Sequence, residues 1–377
     1  MLKQFPMLRY VLQKGFWYIL TFIVAVAINF TLPRLGENNP VDIIMGKAAQ
    51  GLSPEEAQKK KESLLVSFGM AELNEDGSVI YEQIPELDNN GKPVLDSAGA
   101  PVVKKEPKLA SGFSQFVSYI KNVFKGDLGL SYSQYPKPVI DIIKESIPWT
   151  LAIQAPTILL GWIVGNLLGA FAAYKRGIFD KVFFPLAMFL NGVPYFVFGM
   201  LLVALFSITL GWFPAMGAYG PDLIPGFNFA FIKSVGYYYV LPFFSCFPIL
   251  LAGQATGMRS MSIYELGTDY MKYAKWLGLR EGKIIGYVFR NAMLPQLTGL
   301  AQSLGSMVGG ALITEMIFSY PGLGMAMLTA IQQNDYATIQ GCTLMISTCV
   351  LIANFAVDVL IAVFDPRVKA GLQMGGK

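Results

Sequence analysis

Six stretches of the chain are predominantly apolar over a length that can cross a bilayer, whose hydrocarbon core of about 30 Å takes about 20 helical residues. They are residues 15–32, 149–174, 182–210, 237–258, 292–318 and 337–364. An even number of spans puts both chain ends on one side. The first run has Lys3, Arg9 and Lys14 before it and Ala25-Val26-Ala27 within it, features of a secretory signal. The triplet sits in mid-run, so an uncleaved helix is expected. Pro156, Pro194, Pro248 and Pro295 interrupt the spans, and the carbonyls they free could line a cavity.

Between the spans two polar regions carry their own patterns. In residues 33–148, Ser53-Pro54-Glu55-Glu56 reads as a capping box that opens a helix, with Gly69 closing it. Short strands at Val79-Ile80-Tyr81 and Val102-Val103, with turns at Asp76-Gly77, Asn89-Asn90-Gly91 and Ala98-Gly99, predict a small β-hairpin unit. Asp76 and Asp88 are read as turn residues, because the ligand spacing of a calcium loop is absent. Phe113, Phe116, Val117, Ile120, Val123 and Phe124 recur at helical spacing, predicting a helix packed on a neighbouring span, with a bilayer surface as the alternative.

Residues 259–290 are too polar to span and too long for a tight turn. The spacing predicts helix, turn, helix: Tyr264, Tyr270, Ala274 and Leu277 can share an apolar face, and Gly278 supplies a left-handed C-cap. A structured projection of this kind suggests docking to a soluble partner.

Composition supports the membrane class. Of 377 residues, 54% are hydrophobic and 14% charged, with mean hydropathy +0.47; a soluble domain has about 25% charged residues. A net charge of +4 is too small to argue for nucleic acid as a partner. Fifteen Lys and Arg flank the spans on one side and one, Lys233, lies in the short loops of the other, so both termini are expected in the cytoplasm and residues 33–148 outside it.

Histidine is absent, which removes Ser-His chemistry and the commonest zinc ligand. Cys246, Cys342 and Cys349 lie in apolar runs and read as packing thiols, not as a metal site. No phosphate-binding Gly-x-x-x-x-Gly-Lys loop occurs, and no catalytic residue is expected. Within the spans Glu315 and Asp358 are acidic, both near span ends, whereas ion-coupled carriers place such groups at the midplane. A secondary transporter is therefore the weaker alternative. Gly161, Gly165, Gly169 and Ala173 form one small-residue stripe and Ala301, Gly305 and Gly309 another, both suited to close helix packing. Beside the second stand Gln302, Ser303 and Ser306, which serve either interhelical hydrogen bonds or a water-filled path.

Ala274 and Gly278, followed by Arg290-Asn291-Ala292-Met293-Leu294-Pro295, resemble the Glu-Ala-Ala loop of bacterial ABC importer permeases of the oligopeptide and dipeptide branch. The general motif's first two positions are Lys272 and Tyr273 here, and the Gly-to-Pro distance is longer than usual. Gly126-Asp127-Leu128-Gly129 with Ser131, Gly192-Val193-Pro194-Tyr195-Phe196, Gly211-Trp212-Phe213-Pro214, Glu315 through Gly324, Asp335-Tyr336 and Asp365-Pro366-Arg367 agree with that family. The resemblance is loose over residues 1–32 and close over 110–370; the insertion at about 50–108 is atypical.

It implies an all-α polytopic membrane protein of the bacterial cell membrane, with six transmembrane helices, a type I importer core and an extracytoplasmic α+β insertion. The expected division is 1–32, 33–148, 149–370 and a tail at 371–377. It further implies a permease subunit that is not itself an enzyme and holds no cofactor. Its partners would be a second homologous permease, two cytoplasmic ATPase subunits that bind ATP and Mg, an extracytoplasmic substrate-binding lipoprotein, and membrane lipid. Contact with an ATPase would be made by Asp269, Tyr273, Ala274, Lys275, Gly278, Leu279 and Glu281, and the path lined by Asn191, Tyr195, Gln302, Ser303 and Ser306. The substrate is expected to be an oligopeptide or dipeptide, with a chelate or an oligosaccharide as alternatives; Tyr237-Tyr238-Tyr239, Trp212 and Phe213 could stack on sugar rings or anchor helices at the interface. A membrane scaffold with no pathway is a further alternative.

Overall fold

A computed structural model describes residues 6–31, 41, 45–46, 53–67, 69–74, 76, 78–85, 103–305 and 307–364. Outside the described residues lie Gly77, Asp88, Asn89-Asn90-Gly91, Ala98-Gly99, Val102, Ser306 and Asp365-Pro366-Arg367, together with the side chains of Ala301, Gln302, Gly305 and Gly309. The elements are α1 (Pro6–Thr31), α2 (Pro54–Ser67), β1 (Tyr81–Pro85), β2 (Val103–Pro107), α3 (Gly112–Phe124), α4 (Val139–Lys175), α5 (Ile178–Gly192) and α6 (Tyr195–Leu202). A π-helical segment, Val203–Thr209, continues α6. Then come α7 (Phe229–Leu266), α8 (Asp269–Trp276), α9 (Glu281–Gly305), α10 (Met307–Ile317), α11 (Leu323–Gln332) and α12 (Tyr336–Phe364). The chain divides into two compact units, one of residues 1–25, 144–328 and 344–377, the other of 26–143 and 329–343.

Among the described residues four helices are long and apolar enough to cross a membrane, at residues 7–31, 139–175, 229–266 and 336–359. Two of the expected spans depart from a single straight helix. The run at 182–210 is bent by 98° between α5 and the helix beginning at Tyr195, and counts as a fifth span when the pair is taken together. Pro194 is the cause: it excludes the preceding residue from the helical region, and Val193 is extended at φ −88° and ψ 124°. The run at 292–318 is shared between α9 and α10, on either side of position 306.

Pro148, Pro156, Pro242, Pro248 and Pro295 instead stay inside helices. Pro156 removes the donor that the Ala152 carbonyl would have used, and the Tyr239 hydroxyl donates to that carbonyl at 2.9 Å. That freed carbonyl therefore fastens α7 to α4. The glycine stripe of α4 packs as expected. A Cβ on Gly165 would stand 2.5 Å from the Leu251 carbonyl oxygen, and one on Gly169 would overlap that of Ala255, so α4 and α7 meet backbone to backbone.

In the second unit the capping box is complete: the Glu56 carboxylate accepts from the Ser53 amide at 2.9 Å, and the Ser53 hydroxyl accepts from the Glu56 amide at 3.3 Å. Helix α2 buries Leu64 and Leu65 with Val41 and Ala71, and Gly69 follows at φ +63°. Strands β1 and β2 pair antiparallel with Tyr81 opposite Pro107, so the first begins about two residues later than the pattern suggested. Val79 forms an isolated bridge with Leu73 instead. On α3, Phe116 packs edge-on against Phe30 of α1 at 5.2 Å, while Phe113 and Phe124 stay exposed.

Asp335 is the polar centre of this unit and is fully buried. Its carboxylate accepts from the Ser131 hydroxyl, the Ser133 hydroxyl at 2.8 Å and amide at 3.1 Å, and the Thr338 hydroxyl at 2.9 Å and amide at 3.1 Å. It thus caps α12 and holds the loop that precedes α4. Burial pushes its pKa up, but these donors outweigh burial and hold it below 3.8. A depressed pKa means that the stabilisation is complete above the unfolded value and is lost as pH falls through the folded one. Asp335→Ala should cost about 3 kcal/mol by leaving buried donors unpaired and the helix uncapped. Thermal melts in detergent should show this loss at neutral pH and a narrowing gap to wild type as pH falls below 3.8.

Candidate functional site

Helix α7 has 38 residues, about 57 Å at 1.5 Å each, so it outruns a hydrocarbon core of about 30 Å. Near its end Arg259 clamps the first turn of α5 by two bonds to Asp180, 2.5 and 2.7 Å, with its guanidinium 3.8 Å from the Phe184 ring centre. A bidentate pair resists rotation as well as separation. The chain then turns at Gly267-Thr268 into α8, whose acidic first-turn residue, Asp269, pairs with Lys272 at 2.9 Å. That pair is exposed and adds little.

What orients α8 is Met271. It is fully buried, on a core with Ile284 and Val288, against which Leu266 and Leu279 pack. The helix ends in a Schellman motif: the Leu279 amide donates to the Ala274 carbonyl at 3.2 Å and the Gly278 amide to that of Lys275 at 3.0 Å. Gly278 has φ +69° and nothing within 4 Å of a Cβ, so conformation alone requires glycine there. The Tyr270 hydroxyl accepts from Asn291 at 2.7 Å and donates to Glu265, which ties α8 to both α9 and α7.

The face expected to be shared by Tyr264, Tyr270, Ala274 and Leu277 is not the inward one. Tyr264 is 71% exposed and Leu277 78%, and Met271, which the apolar spacing did not single out, occupies the interior. Trp276 is 77% exposed, with Tyr273 edge-on to it at 5.4 Å. Asp269, Lys275 and Glu281 are exposed around this aromatic tip, Ala274 is half-buried, and Leu279 belongs to the supporting core.

Of the residues expected along a path, Tyr195 and Ser303 line one cleft of about 140 Å³, together with Gln154, Ile158, Cys246 and Leu250. Asn191 stands apart from it, exposed, against Gly253. Gln154 and Cys246 were not legible as path residues because each sits in an otherwise apolar run. The aromatic residues at 212–239 have structural partners: Tyr237 donates to the Trp212 carbonyl at 2.7 Å, and its ring lies 5.6 Å from that of Phe213. Cys246 and Cys342 are buried thiols and Cys349 is partly so. Among the described residues no group of His, Cys, Asp or Glu is placed to hold a metal ion.

Both acids of the spans have protein partners. Asp358 accepts from Lys14 and from the Tyr18 hydroxyl, each at 2.9 Å. Glu315 is 1% exposed and accepts from the Thr150 hydroxyl at 2.6 Å and the Met325 amide at 2.9 Å. Thr150 in turn accepts from the Leu323 amide at 2.8 Å, so the pair caps the start of α11. The chain crosses this carboxylate at Gly322 and Gly324, where side chains would collide with it. A Cβ on Gly324 would stand 2.6 Å from the Leu312 Cα and 2.9 Å from the Glu315 carboxylate. Gly324→Ala should therefore destabilise by about 1–3 kcal/mol, the usual cost of overpacking, read as a lower melting temperature in detergent; an unchanged melt would show that this crossing has room.

The sequence from residue 165 to 370 matches the family model described as binding-protein-dependent transport system inner membrane component. The dipeptide transport system permease protein DppB of Escherichia coli K12 is 30% identical over 385 residues, covering 96% of this chain and 99% of that protein. The glutathione transport system permease protein GsiC of Escherichia coli O6:H1 is 31% identical over 259 residues, 68% of this chain and 79% of that protein. The oligopeptide transport system permease protein AppB of Bacillus subtilis 168 is 31% identical over 265 residues, 68% and 81% respectively. With the family match over more than half its length and a relative aligned almost end to end, this chain belongs to the inner membrane components of binding-protein-dependent transport systems.

Proposed function

We propose that this chain is one of two membrane subunits of an ATP-driven peptide importer in a bacterial cell membrane. With a second, homologous permease it encloses the path; two ATPase subunits bind ATP and Mg on the cytoplasmic side, and an external lipoprotein delivers the peptide. The chain itself hydrolyses no ATP. The relatives' names include dipeptide, glutathione and oligopeptide transport, all amide-bonded solutes.

The observation that carries this reading is the aromatic tip of the 259–290 projection. Tyr273, Trp276 and, just past its end, Leu277 are exposed on a short helix whose other face is locked by Met271 and whose stem is clamped by Arg259 and Asp180. Exposed apolar side chains on a rigid mount fit a groove on a soluble partner. Closure of the ATPase pair on ATP would then move α7 and α9 as one lever, and the spans would rock between inward- and outward-open states.

Tyr273→Ala with Trp276→Ala should lower peptide uptake at least tenfold and release the ATPase subunits on gel filtration, while capture of peptide by the lipoprotein is untouched. Gly278→Val, which costs about 1–2 kcal/mol at a left-handed position, should lower uptake through misorientation of α9. If both variants transport normally with the ATPases attached, the projection is not the coupling element.

The charge count supports cytoplasmic termini and an external α2–β2 region. A cysteine at Lys105, exposed on β2, should react with an impermeant maleimide in intact cells. Reaction only after permeabilisation would reverse the topology.

A further inference from the structure

We propose that α3 is an interfacial anchor: it lies in the plane of the bilayer surface, with Phe113, Val117, Ile120 and Phe124 seated among phospholipid headgroups and the upper acyl chains. At 3.6 residues per turn these four side chains fall within about 60° of one another, in a line about 16 Å long. Phe116, Tyr119 and Val123 occupy the adjoining side of the helix. The two sides meet different fates. The Phe116 and Tyr119 rings pack 5.2 and 5.5 Å from that of Phe30, which they help to bury. Phe113 is 77% exposed and Phe124 79%. Ser114, Ser118, Lys121 and Asn122, all exposed, fill the opposite side. One span therefore covers only part of the apolar face of α3.

The contacts of α3 also fix its level. Phe30 stands in the last turn of α1, whose apolar run closes at Leu32 before Pro33-Arg34. Beside it, the Asn29 side chain donates to the Gln340 carbonyl at 2.8 Å, and the Gln340 side chain donates to the Asn29 carbonyl at 3.1 Å. The end of α1 is thus bound to the start of α12. The loop that follows α3 returns to the same place, where the Ser133 hydroxyl donates to Asp335, the residue before α12, at 2.8 Å. All these groups belong to one compact unit. Helix α3 is therefore held beside two span ends, at the depth where hydrocarbon gives way to headgroups.

Charge complements that depth. No acidic residue occurs from Lys108 to Gly126, while Lys121 and Lys125 are exposed at the rim of the apolar line. Their long stems can lie along apolar surface while the ammonium groups reach lipid phosphates. A straight apolar line with a polar opposite side and a basic rim is the form of a helix that lies on a membrane. Seated in this way, α3 holds the loop from Gly126 to Ser133, and with it the capped start of α12, at a set height on the bilayer.

The test places a photo-crosslinking aromatic residue in the full chain, expressed with its transport partners in cell membranes. Phe113→benzoylphenylalanine and Phe124→benzoylphenylalanine keep an aromatic ring at exposed positions, so folding is not at stake, and Ser118→benzoylphenylalanine probes the polar side of the same helix. After irradiation, intact-mass spectrometry should find this chain carrying one phospholipid at positions 113 and 124, in severalfold higher yield than at 118. An equal yield at all three positions would overturn the proposal, since the helix would then have no lipid-facing side. Adducts to another protein subunit in place of lipid would overturn it by showing a protein interface. Absence of any adduct at 113 and 124 would do so by placing the line in water.

Discussion

Inside a bilayer no water relieves an unpaired polar group, and each one the chain carries across the membrane must find a partner in protein. Much of this structure follows from that requirement. Pro156 frees a carbonyl, and Tyr239 from another helix takes it. Glu315 is buried as an acid, and the chain answers with Thr150, the Met325 amide and a glycine crossing that lets the backbone reach the carboxylate. Asp358 has Lys14 and Tyr18. Each pairing joins helices distant in sequence, so satisfying polar groups and fixing the tertiary arrangement are one process.

Contacts between helices also shape the 259–290 projection. Helix α7 is far longer than a membrane needs, and a free extension would bend. It does not stand free: Arg259 holds it to α5, Tyr270 links Glu265 to Asn291, and Met271 seats α8 between the ends of α7 and α9. Under the coupling proposed above, a force applied to the Tyr273 and Trp276 tip would reach α7 and α9 together. The close contact of α7 with α4 at Gly165 and Gly169 extends that path, because helices packed backbone to backbone have little room to slide independently.

Not every span of this chain is a continuous rod. The one that bends at Pro194 continues into a π-helical segment, a geometry frequent at functional sites. Under the transport reading proposed above, a path that changes shape needs helices of this kind.

Local features were legible in the amino-acid sequence because their causes lie within a few residues. The Ser53–Glu56 capping box, the turn at Gly69, the left-handed Gly278 and the small-residue stripe of α4 depend on spacing and backbone sterics, and each stands where the pattern put it. The membrane class followed from apolar run lengths alone. Tertiary structure decided the rest. That the Ala152 carbonyl freed by Pro156 is taken by Tyr239 depends on where α7 lies against α4. That Met271 turns inward and Trp276 outward, or that Gln296 lies over Gly257, depends on where α9 crosses α7. Sequence periodicity defines the faces of each helix, but contacts between helices are set by crossing geometry, which no local spacing contains.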